Sequence, residues 1–336
     1  MKIDGGLFGD FEGVKGRIET LEADGFDGAI SAEMASDPFL PLLLAAEHSE
    51  KIELMTSIAV AFARNPMNVA NLSHDLNAYS KGRFTVGLGS QIKPHITRRF
   101  SMPWSHPAPR MREFILAMRA IWACWYEGKP LEFQGEFYSH TLMTPMFSPK
   151  NTEYGAPRVF LAAVGPKMTE VAGEVGDGLI AHGFTTEKYL REVTLPAMER
   201  GLAKAGRDRR NFEVSCPVFV VTGDGDEERE ASRRGACQQL AFYASTPTYR
   251  PVLELHGWEE VGRELTRLSK QGEWVKMGTY ISDEMLEVFA IVADPDDVAP
   301  RLVERFGGAI DRLACTFAFV SKEQREAAMQ TLHDAD

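Results

Sequence analysis

Cysteine is scarce in this chain: the four, Cys124, Cys216, Cys237 and Cys315, lie far apart and form no C-x-x-C pair. That excludes a zinc knuckle or a redox dithiol and leaves small core residues or spare thiols. No metal-ligand spacing is present. No apolar run approaches the roughly 18 residues of a membrane span, and the opening MKIDGGLFGD lacks the apolar stretch of a signal peptide. The expected location is therefore the cytoplasm, with no membrane partner. A basic excess is missing too: the formal net charge is −11, whereas a nucleic-acid partner calls for a basic face. The stretch Gly5-Gly6-Leu7-Phe8-Gly9 does not supply the GxGxxG turn of a doubly wound dinucleotide-binding sheet. There is no internal repeat, low-complexity segment or domain-sized linker, so residues 1–336 read as one domain.

What the chain does contain is an alternation of strand-like and helix-like patterns. Strands are expected at 2–7, 28–32, 52–61 and 83–88, with helices at 14–23, 39–48, 67–79 and 110–125 between and after them. Residues 131–139 suggest a small hairpin inside an insertion near 130–156. Alternation resumes with strands at 158–162, 178–181 and 213–222 and helices at 167–175 and 187–205. The helical stretch from 228 onward is too long for one crossover and reads as a second insertion, about 228–285. The chain closes with 289–293, a helix opened by Asp294-Pro295, and an eighth strand at 311–317. Eight alternating units predict an α/β fold, a (β/α)8 TIM barrel with right-handed crossovers and two insertions.

Three strand ends carry candidate chemistry, since ligands of such barrels bind at the carboxyl ends of the strands. The stretch GRFTVGLGSQIKPHITRR turns from buried strand to Gly89-Ser90-Gln91. Its Gly87 and Gly89 let backbone approach a ligand or simply relieve crowding. Strand 52–61 holds two hydroxyls, Thr56 and Ser57. Leu161-Ala162-Ala163-Val164-Gly165-Pro166-Lys167 leads straight into a helix, which reads equally as a tight turn or as a phosphate cradle. Glu33, Gln91, His95, Trp104, His106 and His182 are candidates for the mouth, and Lys93, Arg98 and Arg99 form a basic cluster suited to anions.

Together these segments resemble the bacterial luciferase-like family of flavin and deazaflavin oxidoreductases. The pieces are TSIAVAFARNP, KGRFTVGLGSQ, RMREFILAMRAIW, LEFQGEFY, PRVFLAAVGPKMTEVAGEVGDGLI and ADPDDVAPRLVERF, in that order. Within the family the chain is most similar to the branch that uses the deazaflavin coenzyme F420. The resemblance implies a non-prolyl cis peptide at Ser57-Ile58 beneath the cofactor ring. It also implies a cofactor-side loop at Gly89, Ser90 and Gln91, and a phosphate contact at Ala163, Val164, Gly165, Pro166, Lys167 and Met168. Where relatives place an acid-histidine pair, this chain has Glu33-Met34. The carboxylate is kept and the imidazole is absent, which speaks against alcohol oxidation by a histidine base.

The implied function is hydride transfer between coenzyme F420 and a small organic substrate, with Glu33 and His182 as catalytic candidates. Two alternatives stand beside it: a reduced-FMN monooxygenase of the same family, and a barrel that binds a ligand without catalysis. The resemblance also implies a homodimer, for which Val69, Leu72 and Leu76 offer one apolar helix face.

Overall fold

The structure is a computed structural model that describes residues 1–315 and 320–335. Its strands are β1 (Lys2–Gly6), β2 (Gly28–Ser31), β3 (Glu53–Thr56), β4 (Ala59–Val60), β5 (Phe84–Gly89), β6 (Phe133–Gln134), β7 (Ser139–His140), β8 (Arg158–Ala163), β9 (Gly178–Ala181), β10 (Glu213–Pro217), β11 (Phe219–Val221), β12 (Ala290–Val292) and β13 (Arg312–Ala314). Nine form one sheet in the order β3-β2-β1-β13-β10-β9-β8-β5-β4, and β3 also pairs with β5, so the sheet closes on itself. Because β4 continues β3, the closed barrel has eight parallel strands, the (β/α)8 architecture expected from the alternation. Strands such as β5 (FTVGLG) and β9 (GLIA) are buried at every position, as parallel strands covered on both faces must be.

The chain packs as two compact units, of which the larger comprises Gly5–Ile180 and Ala197–Glu213. Its helices include Val14–Ala23, Phe39–Glu47, Pro66–Tyr79, Pro107–Glu127 and Pro166–Val175. Pro66 sits in the first turn, where a missing N–H is harmless, and the Asn65 side chain accepts the Met67 N–H at 2.9 Å. β6 and β7 form the antiparallel hairpin expected in the first insertion.

The smaller unit comprises Met1–Asp4, Ala181–Pro196 and Val214–Asp336. It has its own apolar core, in which Leu240, Leu253, Leu265, Leu268 and Met277 come together from the helical stretch 226–289. Here the expected strand 213–222 divides. β10 stays in the barrel, whereas β11 leaves it to pair in parallel with β12. Pro217 carries no N–H and sits where the ladder breaks, a sufficient reason for the division. The eighth strand is β13; Thr316 and Phe317, which the sequence reading included, lie outside the described residues. A closing helix, Lys322–His333, is opened by a capping box of Ser321 and Gln324 that the sequence reading passes over.

Candidate functional site

The expected strand 52–61 is interrupted at its centre. Leu54 faces Phe84 and Met55 faces Thr85, but Ala59 faces Leu88 and Val60 faces Gly89. Four steps from Met55 to Ala59 are therefore matched by three from Thr85 to Leu88, which is a bulge of one residue. The Ser57-Ile58 peptide bond inside it is cis. Where the ladder is lost, the buried Thr56 hydroxyl takes over: it accepts the Gly87 N–H and donates to the Gly87 carbonyl, each at 2.8 Å. On the other side, Ser57 N–H donates to the Ser31 carbonyl at 2.7 Å, and Glu33 N–H to the Ile58 carbonyl at 3.1 Å. Ser57 and Ile58 are left half-buried, as a ridge on an otherwise buried strand.

Glu33 is tied to the same bulge. Its Oε2 accepts the Val60 N–H at 2.7 Å and the Arg64 guanidinium, with only 7% of its side chain exposed. Arg64 also donates to the Val60 carbonyl at 3.2 Å and to Asp37 Oδ2 at 2.7 Å. A carboxylate engaged in this way has the surroundings of a strut rather than of a proton shuttle.

The two strand glycines serve the sheet. A Cβ on Gly87 would lie 1.9 Å from the Thr56 carbonyl oxygen, and one on Gly89 would lie 2.8 Å from the Ile58 side chain. Both relieve crowding at the bulge, the plainer of the two readings. Ser90 and Gln91 follow, half-buried, and Gln91 adopts a left-handed φ of 59°. Its Oε1 accepts the Ile92 N–H at 3.0 Å, which leaves the amide N–H2 pointing elsewhere. Of the basic cluster, Arg99 donates to the Met34 carbonyl and lies over the Phe100 ring, while Lys93 and Arg98 are exposed. His95 and His106 are exposed, and Trp104 packs edge-on against Phe62.

At the end of β8, Ala163 is buried and Val164 half-buried, and Gly165 is the N-cap of the helix Pro166–Val175. Met168 and Thr169 both donate N–H to the Gly165 carbonyl at 3.1 Å, and Pro166 has no N–H. In the turn 165–169, the Gly165 and Lys167 N–H groups have no protein partner among the described residues. Nothing lies within 4 Å of a Cβ built on Gly165, whose φ of −89° suits any residue. Here, unlike at Gly87 and Gly89, the space is open.

His182 belongs to the smaller unit, where it follows β9. Its Nδ1 accepts the Phe184 N–H at 2.9 Å, which assigns the ring proton to Nε2. The imidazole contacts the rings of Tyr243 and Tyr249 at centroid distances of 4.7 and 4.4 Å. Burial pushes its pKa down to about 4, so near neutral pH the ring is an uncharged donor and a weak base.

The sequence matches the luciferase-like monooxygenase family over residues 4–312. The chain belongs to that family. An uncharacterised protein of Mycobacterium tuberculosis (strain H37Rv) is 54% identical over 330 residues, 98% of this chain and 97% of its own. The 5,10-methylenetetrahydromethanopterin reductase of Archaeoglobus fulgidus is 30% identical over 270 residues, covering 78% of this chain and 76% of its own. The coenzyme F420 dependent tetrahydromethanopterin reductase of Methanopyrus kandleri has the same fold, with a TM-score of 0.80 at 21% identity over 99% of this chain and 98% of that one.

Four residues of this luciferase-like chain escape the sequence reading. Thr56 reads only as one of two hydroxyls in the strand 52–61, and Arg64 occurs only within the family segment TSIAVAFARNP. Tyr243 and Tyr249 lie in the second insertion, where their spacing does not separate a site from a core.

Proposed function

We propose that the chain is an oxidoreductase that moves hydride between coenzyme F420 and a small organic substrate. The observation that carries the reading is the one-residue bulge, which leaves Ser57 and Ile58 as a half-buried ridge on a buried strand, with Ile58 beside Gly89, the residue before Ser90 and Gln91. These residues suit a flat conjugated ring: Ile58 offers an apolar surface, and the Ser57 hydroxyl and Gln91 amide offer hydrogen bonds at its rim. The open space at Gly165, with the free N–H groups of Gly165 and Lys167, suits an anionic phosphate. Further support comes from the 30% identity to a reductase and from the resemblance of TSIAV and GLGSQ to the luciferase-like family.

When bound, a deazaflavin accepts or releases hydride at ring carbon C5. The chain's part is to hold one ring face against Ile58, fix the rim through Ser57 and Gln91, and leave the other face to substrate. Glu33 and Arg64 keep the bulge in place, so that Glu33 acts as a positioning residue. Titration of purified apo-protein with coenzyme F420 and with FMN tests the proposal. Tight F420 binding supports it; tight FMN binding without F420 binding points to a reduced-flavin monooxygenase, and binding of neither points to a non-catalytic barrel.

A further inference from the structure

The smaller unit holds one histidine and two tyrosines whose rings are in contact on an aromatic wall. His182, Tyr243 and Tyr249 are each half-buried and in mutual ring contact, the two tyrosine rings 6.2 Å apart. Phe184 lies 6.3 Å from Tyr243 and 6.2 Å from Tyr249, and Phe219 6.4 Å from Tyr243. Among the described residues, neither the two phenol hydroxyls nor His182 Nε2 has a hydrogen-bond partner. The Phe184 N–H occupies Nδ1, so Nε2 carries the proton and can only donate.

We infer that His182 Nε2–H and the Tyr243 and Tyr249 hydroxyls form a binding site for the oxygen of an uncharged carbonyl compound whose apolar body lies on the surrounding rings. One fixed donor, the Nε2–H, and two hydroxyls free to donate match an acceptor atom. Because none of the three carries charge, an uncharged carbonyl oxygen matches them better than a carboxylate or phosphate, which would call for a cation. Burial, with Tyr243 beside it, pushes Tyr249 up to about 12, so its phenol stays a protonated donor at neutral pH. A planar body against Tyr, Phe and His rings gains stacking area. That the carbonyl is also the group reduced rests on the hydride-transfer reading above; its binding here does not.

The test uses the whole apo-protein and two probes of equal shape, acetophenone and ethylbenzene, with affinities measured by ligand-observed NMR titration. Wild type should bind acetophenone about ten-fold more tightly than ethylbenzene, the size of one to two net hydrogen bonds. Tyr243→Phe and Tyr249→Phe should each narrow that ratio and leave ethylbenzene binding unchanged, and His182→Gln, which keeps one N–H donor, should narrow it less than His182→Phe. Long-range proton–nitrogen correlation should show His182 protonated at Nε2. Equal affinities in wild type, no binding of either probe, a ratio untouched by all the variants, or an Nδ1–H tautomer would each overturn the site. The two readings fail separately. Discrimination between the probes without F420 binding would keep this site and sink the hydride-transfer reading; F420 binding without discrimination would do the reverse.

Discussion

Glu33 Oε2 accepts the Val60 N–H at 2.7 Å, so a side chain that follows β2 fixes the first strand residues beyond the bulge. With Arg64 on the same oxygen, removing the charge leaves a guanidinium in a largely buried place without its main counter-ion. Glu33→Gln should lower stability by about 1–3 kcal/mol and weaken cofactor binding, while the pH profile of any turnover keeps its shape. Urea unfolding and cofactor titration of the same variant check this. A loss of turnover by about 10²–10⁴-fold with cofactor affinity unchanged would instead make Glu33 a general acid or base.

Asp4 and Arg312 form a buried two-pronged ion pair between β1 and β13, at 2.6 and 3.0 Å, with 0% and 3% of their side chains exposed. Asp4→Ala removes the carboxylate from a buried guanidinium and should cost about 3–5 kcal/mol. Denaturant midpoints of the variant and wild type measure it; a loss below about 1 kcal/mol would mean the pair is solvated.

His182 gives the fold a dependence on acid. Its folded pKa of about 4 lies below the ordinary 6.5, so between those values the unfolded chain binds a proton that the folded chain does not. Stability from this group is complete above pH 6.5 and is lost as the pH falls toward 4. His74, His140 and His256 are shifted down too by burial, so the informative quantity is a difference. His182→Gln should flatten the acid slope relative to wild type in chemical unfolding at a series of pH values; equal slopes would show a solvated ring.

The helix face offered for dimerisation sorts differently from its spacing. Val69 and Leu76 are buried, and Leu72 is 40% exposed. Leu40, Leu43 and Leu44 on the helix Phe39–Glu47 are also exposed, as is Tyr79, whose hydroxyl donates to Glu47. Exposed leucines grouped in this way favour burial against a second copy. Sedimentation velocity should show a dimer that Leu43→Glu converts to monomer. A wild-type monomer at micromolar concentration would contradict this.

Much of the fold is legible because each strand and helix carries its own period. The helix 14–23 and the strand 178–181 have the same bounds in the sequence reading and in the structure. The bulge is not legible in this way. TSIAV reads the same whether bulged or straight, since the extra residue exists only relative to β5, and only a family resemblance pointed there. Pro217, by contrast, was a local signal for the end of β10 and was overridden by the apolar run on both sides of it. At the site, Gly87, Gly89 and Gly165 look alike in sequence. Only the space around each separates two glycines that serve the sheet from one with open space beside it.

That distinction sets up the most direct measurement: equilibrium binding of coenzyme F420 to wild type and to Gly165→Val. Because the position has free space and an ordinary φ, the variant should fold with an unchanged melting temperature. It should nonetheless lose cofactor affinity by about ten-fold or more, since the side chain would fill the space assigned to the phosphate. Neutralising Lys93 or Arg98 should weaken binding only mildly and in a salt-dependent way. If wild type binds F420 tightly and Gly165→Val does not, the cofactor assignment stands. Equal binding by both proteins would move the phosphate elsewhere, and no binding of F420 by wild type would contradict the deazaflavin reading itself.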